Sequence, residues 1–409
     1  MKKIIVIVIL TLLSGSLFSK KIKEGTYRAI LIIDAGKNLE IPFIFDVKYK
    51  NKKPLIIIKN ADERISVDEI TVKGDSVNFK MPVFDTEFKT VFTADHFEGV
   101  WINHYKAINN RMVFKAVLNE TRRFLFSESP VDPYFEGKWE TTFSPDTKDS
   151  SKAIGVFHHE EQTNDVTGTF LTETGDYRYL AGVKNGDKLY LSGFDGMHAY
   201  LFIAEKNEQN VLKGIFYSGA TWQESWIAKR NDQFMLHDAE QITFMKNKEE
   251  KINFSFPALD SKIISLSDKK FENKPVIIQV MGSWCPNCMD ESTYLSGVYK
   301  QYKNQGLEII ALAFEKTTEF DKAKTQLIRM KNRLKMDYDI LITQQIGNAK
   351  ASEVLSALNK ISAFPTTIFL NKKHQVVKVH TGFSGPATGK EYATYKRQTE
   401  NLIEKLLRE

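Results

Sequence analysis

Along residues 24–230 apolar and polar positions alternate in short runs, as in Tyr27-Arg28-Ala29-Ile30-Leu31-Ile32 and Lys188-Leu189-Tyr190-Leu191, and Gly, Asn and Asp turns separate the runs. Period-two alternation broken by frequent turns predicts antiparallel strands that bury one face. Beyond residue 251 the pattern changes. Pro275-Val276-Ile277-Ile278-Gln279-Val280 is a continuous β-branched run, the mark of a strand buried on both faces. Helical spacing follows over 286–305, an apolar strand over 307–314, a Lys-rich helix over 319–334 and a strand over Asp339–Ile342. Residues 364–370 and 376–379 predict a hairpin, and 390–407 a last helix that buries Tyr392, Tyr395, Leu402, Ile403 and Leu406. This order, βαβαβ then ββα, predicts a three-layer α/β domain with a mixed sheet.

The β-rich half repeats itself. At an offset of 112 residues Glu24-Gly25-Thr26-Tyr27 matches Glu136-Gly137-Lys138-Trp139, Ile44-Phe45 matches Val156-Phe157, and Gly74-Asp75-Ser76-Val77 matches Gly186-Asp187-Lys188-Leu189. With small indels Phe84-Asp85 matches Phe194-Asp195, and Phe97-Glu98-Gly99-Val100-Trp101 matches Leu212-Lys213-Gly214-Ile215-Phe216. Two related antiparallel β modules are expected, either as tandem barrels or sandwiches or as halves of one larger sheet structure. Trp101, Trp139, Trp222 and Trp226 are expected mainly in their cores. His158-His159-Glu160-Glu161 has metal-ligand residue types. Neighbours on a strand point to opposite faces, however, and a solvated segment is expected there.

The length of 409 residues fits two or three domains at about 150 residues each. The expected division is a signal peptide at 1–19, β modules at 20–130 and 131–230, a charged linker at 231–251 and an α/β domain at 252–409. With 42% hydrophobic and 26% charged residues, disorder, collagen and coiled coil are excluded. The net charge of +6 is dispersed and forms no nucleic-acid patch. At the N-terminus Met1, Lys2 and Lys3 precede an apolar run from Ile4 to Leu13 and the small-residue stretch Ser14-Gly15-Ser16-Leu17-Phe18-Ser19. That is the pattern of an export signal, shorter than the roughly 20 apolar residues that span a bilayer. A soluble, exported protein is expected.

Only two cysteines occur, Cys285 and Cys288. Two cannot build a disulfide framework for a chain of this size. A structural bridge three positions long would restrict the unfolded chain little, and a zinc site would need further ligands, so no metal is expected. The pair falls at a predicted strand-to-helix junction, where unpaired helix N–H groups and the helix dipole stabilise a thiolate. In such sites the thiol pKa falls from about 8.5 to between roughly 3.5 and 7. Cys285 is therefore the expected nucleophile and Cys288, one turn further, the resolving thiol. Pro286 suits the first helical turn, where its missing N–H is not needed.

With Trp284-Cys285-Pro286-Asn287-Cys288 and the later Phe364-Pro365-Thr366-Thr367, residues 254–409 resemble the thioredoxin-fold, TlpA-like thiol-disulfide oxidoreductases of the bacterial cell envelope. The resemblance implies a cis Pro365 facing the disulfide, with Phe364 before it and backbone groups left for a substrate chain. It implies Trp284 beside the sulfur, Pro286 and Asn287 as residues that tune the potential, and Glu291 near the buried sulfur as a proton-transfer group. Gln279 departs from the Asp of cytoplasmic thioredoxins, and Met281 and Gly282 replace part of an aromatic run. The expected activity is reduction of client disulfides by an exported enzyme that needs no cofactor beyond its cysteines and is fed by a membrane thiol donor. The alternative is a β-rich module that binds an envelope ligand or partner, which the redox domain modifies or senses.

Overall fold

The computed structural model describes residues 21–127 and 130–409. The export signal expected at 1–19 lies outside them. Strands β1 (Gly25–Asp34), β2 (Leu39–Lys50), β3 (Lys53–Asn60), β4 (Glu63–Val67), β5 (Glu69–Lys73), β6 (Ser76–Lys80), β7 (Thr86–Thr93), β8 (His96–Asn103) and β9 (Arg111–Leu118) form one antiparallel sheet in the order 4-3-2-1-9-8-7-6-5. A second sheet comprises β10 (Gly137–Phe143), β11 (Ser151–His159), β12 (Asp165–Thr172), β13 (Gly175–Asp176), β14 (Leu180–Asn185), β15 (Lys188–Phe194), β16 (Ala199–Lys206), β17 (Leu212–Ser218) and β18 (Trp222–Arg230). Counted from its own first strand, it follows the same succession.

The two sheets differ in closure. In the second, β12 pairs with both β11 and β14, so the sheet closes into a barrel and β13 is a two-residue stub. In the first, no ladder joins β4 to β5 among the described residues, and the barrel stays nearly closed. The repeat thus resolves into tandem barrels. Its Gly-Asp turns are equivalent, Lys73 pairing with Ser76 and Asn185 with Lys188. The fixed offset slips at one place. Tyr27 pairs with Phe45, but Trp139 pairs with Gly155. The Phe157 ring lies over Gly155, where a Cβ would sit 2.9 Å from it, and so fills the position Phe45 takes in the first barrel.

Both barrels are filled by aromatic side chains, as small barrels must be. Phe43, Phe88 and Phe114 pack in the first, and Phe143, Phe170, Phe202 and Trp226 in the second. Trp101, Trp139 and Trp226 are buried, whereas Trp222 is exposed. Phe194 leaves its own barrel for the core of the first, 4.6 Å from Phe43. Around it Asn60 and Phe194 exchange two hydrogen bonds, and the half-buried Arg123 donates to the carbonyls of Pro42 (3.1 Å) and Lys59 (2.6 Å).

The third unit opens with the short hairpin β19 (Ser255–Pro257) and β20 (Ile263–Ser265). Then come β21 (Val276–Met281), α1 (Pro286–Tyr302), β22 (Glu308–Ala313), α2 (Phe320–Leu334), β23 (Asp339–Ile342), α3 (Gly347–Val354), β24 (Thr366–Leu370), β25 (Val376–Thr381) and α4 (Lys390–Arg408). The sheet order is β23-β22-β21-β24-β25. Strands β21 to β23 are parallel, and β24 and β25 run antiparallel to their neighbours. Every residue of β21 is buried, as its unbroken apolar run requires. The first hairpin and α3 had no clear sequence pattern. Residues 231–251 lie along the molecule, Met245 bridging to Leu358.

Candidate active site

The redox pair sits where β21 hands over to α1. Cys285 is the N-cap of the helix in extended conformation, and its Sγ accepts the Cys288 N–H at 3.1 Å. Such a position offers a sulfur the free N–H groups and positive end of the helix. Cys285 and Cys288 form a disulfide with Cα atoms 5.2 Å apart. Cys285 is 6% exposed and Cys288 fully buried. The Phe364–Pro365 peptide is cis, and the Phe364 carbonyl oxygen lies 3.5 Å from Cys285 Sγ. Gly382 N–H donates to the Pro365 carbonyl at 2.8 Å, tying this loop to β25. Trp284 stands edge-on to Phe364 at 5.6 Å, donates Nε1–H to the Phe314 carbonyl at 2.9 Å and carries Lys316 Nζ over its ring.

One turn inside the helix, Glu291 is fully buried. Thr367 Oγ1 (2.6 Å) and Tyr395 OH (3.2 Å) donate to its Oε1, and Gln279 Nε2 (2.8 Å) to its Oε2. Burial pushes its pKa up to about 7, and these three donors hold it from going higher. Gln279 in turn accepts from Ser292. In place of a titrating Asp, this chain has an amide that orients the glutamate.

Trp284, Cys285, Pro286, Asn287 and Phe364 all line one cleft of about 750 Å³. Pro365 and the fully buried Glu291 do not line it. The opposite wall comes from the mouth of the second barrel, with Tyr177, Met197, His198 and Tyr200. His198 stacks on Tyr200 at 4.7 Å. The turn between β12 and β13 touches the redox loop with its backbone. A Cβ at Gly175 would stand 2.0 Å from Asn287 Nδ2, and one at Gly382 would stand 2.6 Å from the Thr174 carbonyl carbon.

A buried ionic cluster fixes that contact. Arg178 of the second barrel pairs with Glu63 of the first and with Asp290 on α1 (3.1 Å), while Asp195 lies 3.9 Å away. Asp176 accepts the N–H of Arg178 (2.6 Å) and the N–H of Gly385. One guanidinium thus faces three carboxylates, with Asp176 beside it on the Arg178 main-chain N–H. Burial, reinforced by the neighbouring acids, pushes Asp290 up to about 8 and Asp176 up to about 6 despite Arg178. Asp195 is held down at about 2 because His198 and Arg178 outweigh its burial. Nothing in the sequence pattern singled out these residues. The nearest clue was two successive acids, Asp290 and Glu291, one residue beyond the cysteine pair.

A disulfide at a helix N-terminus, opposed by a cis-proline loop on a five-stranded mixed sheet, defines a thiol-disulfide oxidoreductase of the thioredoxin-like class. Residues 224–395 match the Redoxin family model. The thiol-disulfide oxidoreductase ResA of Halalkalibacterium halodurans is 31% identical over 134 residues, covering 33% of this chain and 68% of that protein. The ResA proteins of Bacillus subtilis (30%, 32% of this chain and 64% of that one) and Bacillus cereus (32%, 32% and 72%) are similar in the same way. The chain belongs to the family of ResA-type thiol-disulfide oxidoreductases. Among solved structures, a putative thiol:disulfide interchange protein DsbE from Chlorobium tepidum is 16% identical with a TM-score of 0.32, covering 39% of this chain and 98% of that one. The C-terminal domain of a putative thiol-disulfide oxidoreductase from Bacteroides thetaiotaomicron is 19% identical with a TM-score of 0.30, over 39% and 99%.

Proposed function

We propose that this protein is an exported disulfide reductase acting on client proteins through Cys285 and Cys288, without a bound cofactor. The observation that carries the reading is the helix-capping Cys285 beside the Phe364 carbonyl at the floor of an open cleft. In the reduced enzyme the Cys285 thiolate attacks one sulfur of a client disulfide, and the other client sulfur leaves as a thiolate. The Cys288 thiolate then attacks Cys285 Sγ and expels the second client thiolate. Two electrons have passed to the client, and the Cys285–Cys288 disulfide remains. A membrane dithiol donor restores the pair by the same exchange in reverse.

Glu291 takes the proton of Cys288 as that thiol becomes the attacking thiolate. A carboxyl with a pKa of about 7 is matched to this task near neutral pH. Trp284, Phe364 and Pro365 bind the client chain, and Pro286 and Asn287 tune the potential. The apolar run at Ile4–Leu13 carries the expectation of a periplasmic location. Among the described residues no helix is long and apolar enough to cross a membrane.

The test is reduction of insulin by the full chain with a dithiol as donor. Cys285→Ser with Cys288→Ser is expected to bring the rate to background with the circular dichroism spectrum unchanged; undiminished activity would sink the reading. Cys288→Ser alone is expected to accumulate mixed disulfides through Cys285. Glu291→Gln is expected to flatten the pH dependence of kcat/KM around 7.

A further inference from the structure

We propose that the mouth of the second barrel is half of the substrate site, and that together with the redox loop it selects an extended polypeptide segment carrying a large aromatic or apolar residue next to its cysteine. This deepens the reductase reading and rests on it. The cleft over Cys285 has two walls of rings, the half-buried Trp284 and buried Phe364 on one side and the half-buried Tyr177 and Tyr200 on the other, and Met197 also lines it. At about 750 Å³ it is of the size of ligand sites, and its lining runs from the redox loop across to the barrel mouth.

One side of the redox loop is closed by the turn at Thr174 and Gly175, in backbone contact with Gly382 and Asn287. Asp176 and Arg178, bonded to Gly385 and Asp290, hold the turn there. With Cys285 only 6% exposed, the broad face of a folded domain has no room to reach the sulfur, whereas a single strand of chain can lie between the walls. Its cysteine meets Cys285, and the neighbouring side chain enters the ring-lined barrel mouth. The tyrosine rings there pack on one another and on Phe216, an aromatic surface suited to aromatic side chains.

The experiment compares kcat/KM of the full chain for two disulfide-linked unstructured peptides that differ only in Phe or Gly beside the cysteine, with a small aromatic disulfide as a third probe. Burying one Phe side chain corresponds to about tenfold or more, so the wild type is expected to favour the Phe peptide by that factor. In Tyr200→Ala, and separately in Met197→Ala, which lies outside the barrel's own core, the ratio is expected to fall to about one or two. A wild type that does not discriminate, or a Met197→Ala variant that keeps the full ratio, overturns the proposal alone. Failure to turn over any of the three probes overturns the reductase reading and this proposal with it.

Discussion

The gap between β4 and β5 in the first barrel is spanned from outside, because Arg329 on α2 donates to the carbonyls of Met81 (2.6 Å) and Pro82 (3.0 Å) and pairs with Glu69 (2.7 Å), while Arg333 reaches Ser66 and Asp68. In the second barrel the equivalent of β4 has shrunk to the two residues of β13, which lets β12 reach β14 and close the ring. The same strand order therefore yields two kinds of body. The first shares one continuous core with the redox domain, whereas the second keeps its own. Closure also freed an element: the shortened hairpin at 173–176 pairs only with the end of β12 and rests on the redox loop. A duplicated fold has become a brace on one side and a site wall on the other.

Separate cores make the first test. Phe88→Ala and Phe202→Ala should each cost about 3–5 kcal/mol. Hydrogen-exchange protection should fall jointly in the first barrel and the redox domain for Phe88→Ala, and mainly in the second barrel for Phe202→Ala. Equal loss across all three units in both variants would erase the distinction.

Next in size is the ionic cluster. Arg178→Met leaves Glu63, Asp195 and Asp290 buried without their partner, and loss of about 3 kcal/mol in chemical denaturation is expected. Arg329→Met, at the open seam of the first barrel, removes hydrogen bonds nearer the surface and should cost about 1 kcal/mol.

The turn glycines give smaller effects. Gly74 and Gly186 have φ of 58° and 60° with nothing near a added methyl group, so Ala at either should cost roughly 1 kcal/mol, equally in the two barrels. Gly175→Ala should cost more and alter the reactivity of the redox pair, since its Cβ would strike Asn287. Thermal unfolding and a thiol-titration rate measure the two parts.

The subtlest contrast is in pH. In the first barrel Asp46 and Glu87 are held below the usual carboxylate range, burial being outweighed by bonds from Lys59 and Lys89; their stabilisation is present above about pH 4 and lost in acid. Asp290 and Asp176 run the other way. Folded, they keep protons that the unfolded chain releases near pH 4, so their contribution is full below that pH. It fades as pH rises through about 6 and about 8. Asp195, held at about 2, changes its contribution only in acid below about pH 4 and stays constant over this range. Contact between the second barrel and α1, followed by exchange at residues 173–178, should loosen from pH 5 to 9 while the β2–β3 region holds. Loosening in both places together would count against the assignment.

Local chemistry made much of this legible. Proline after an N-capping cysteine, a β-branched run before it and amphipathic spacing in α4 act over a few residues, and the redox helix, its strands and the cysteine pair followed from them. The Gly-Asp turns revealed the duplication for the same reason, since a left-handed turn constrains its own residues. Where a ring substitutes across a pair of positions, as Phe157 does over Gly155, a fixed offset misreads the register.

What the sequence by itself determined is therefore the redox pair, the α/β unit around it and a doubled β-rich half. Only the tertiary structure decided that one barrel closes on itself and the other does not, that Arg178 gathers carboxylates from three units, and that a barrel mouth faces Cys285. The last two bring together residues of separate units, such as Arg178 and Glu63 at 115 positions apart. Their free energy comes from shared burial, which no local pattern of hydrophobic and polar positions records.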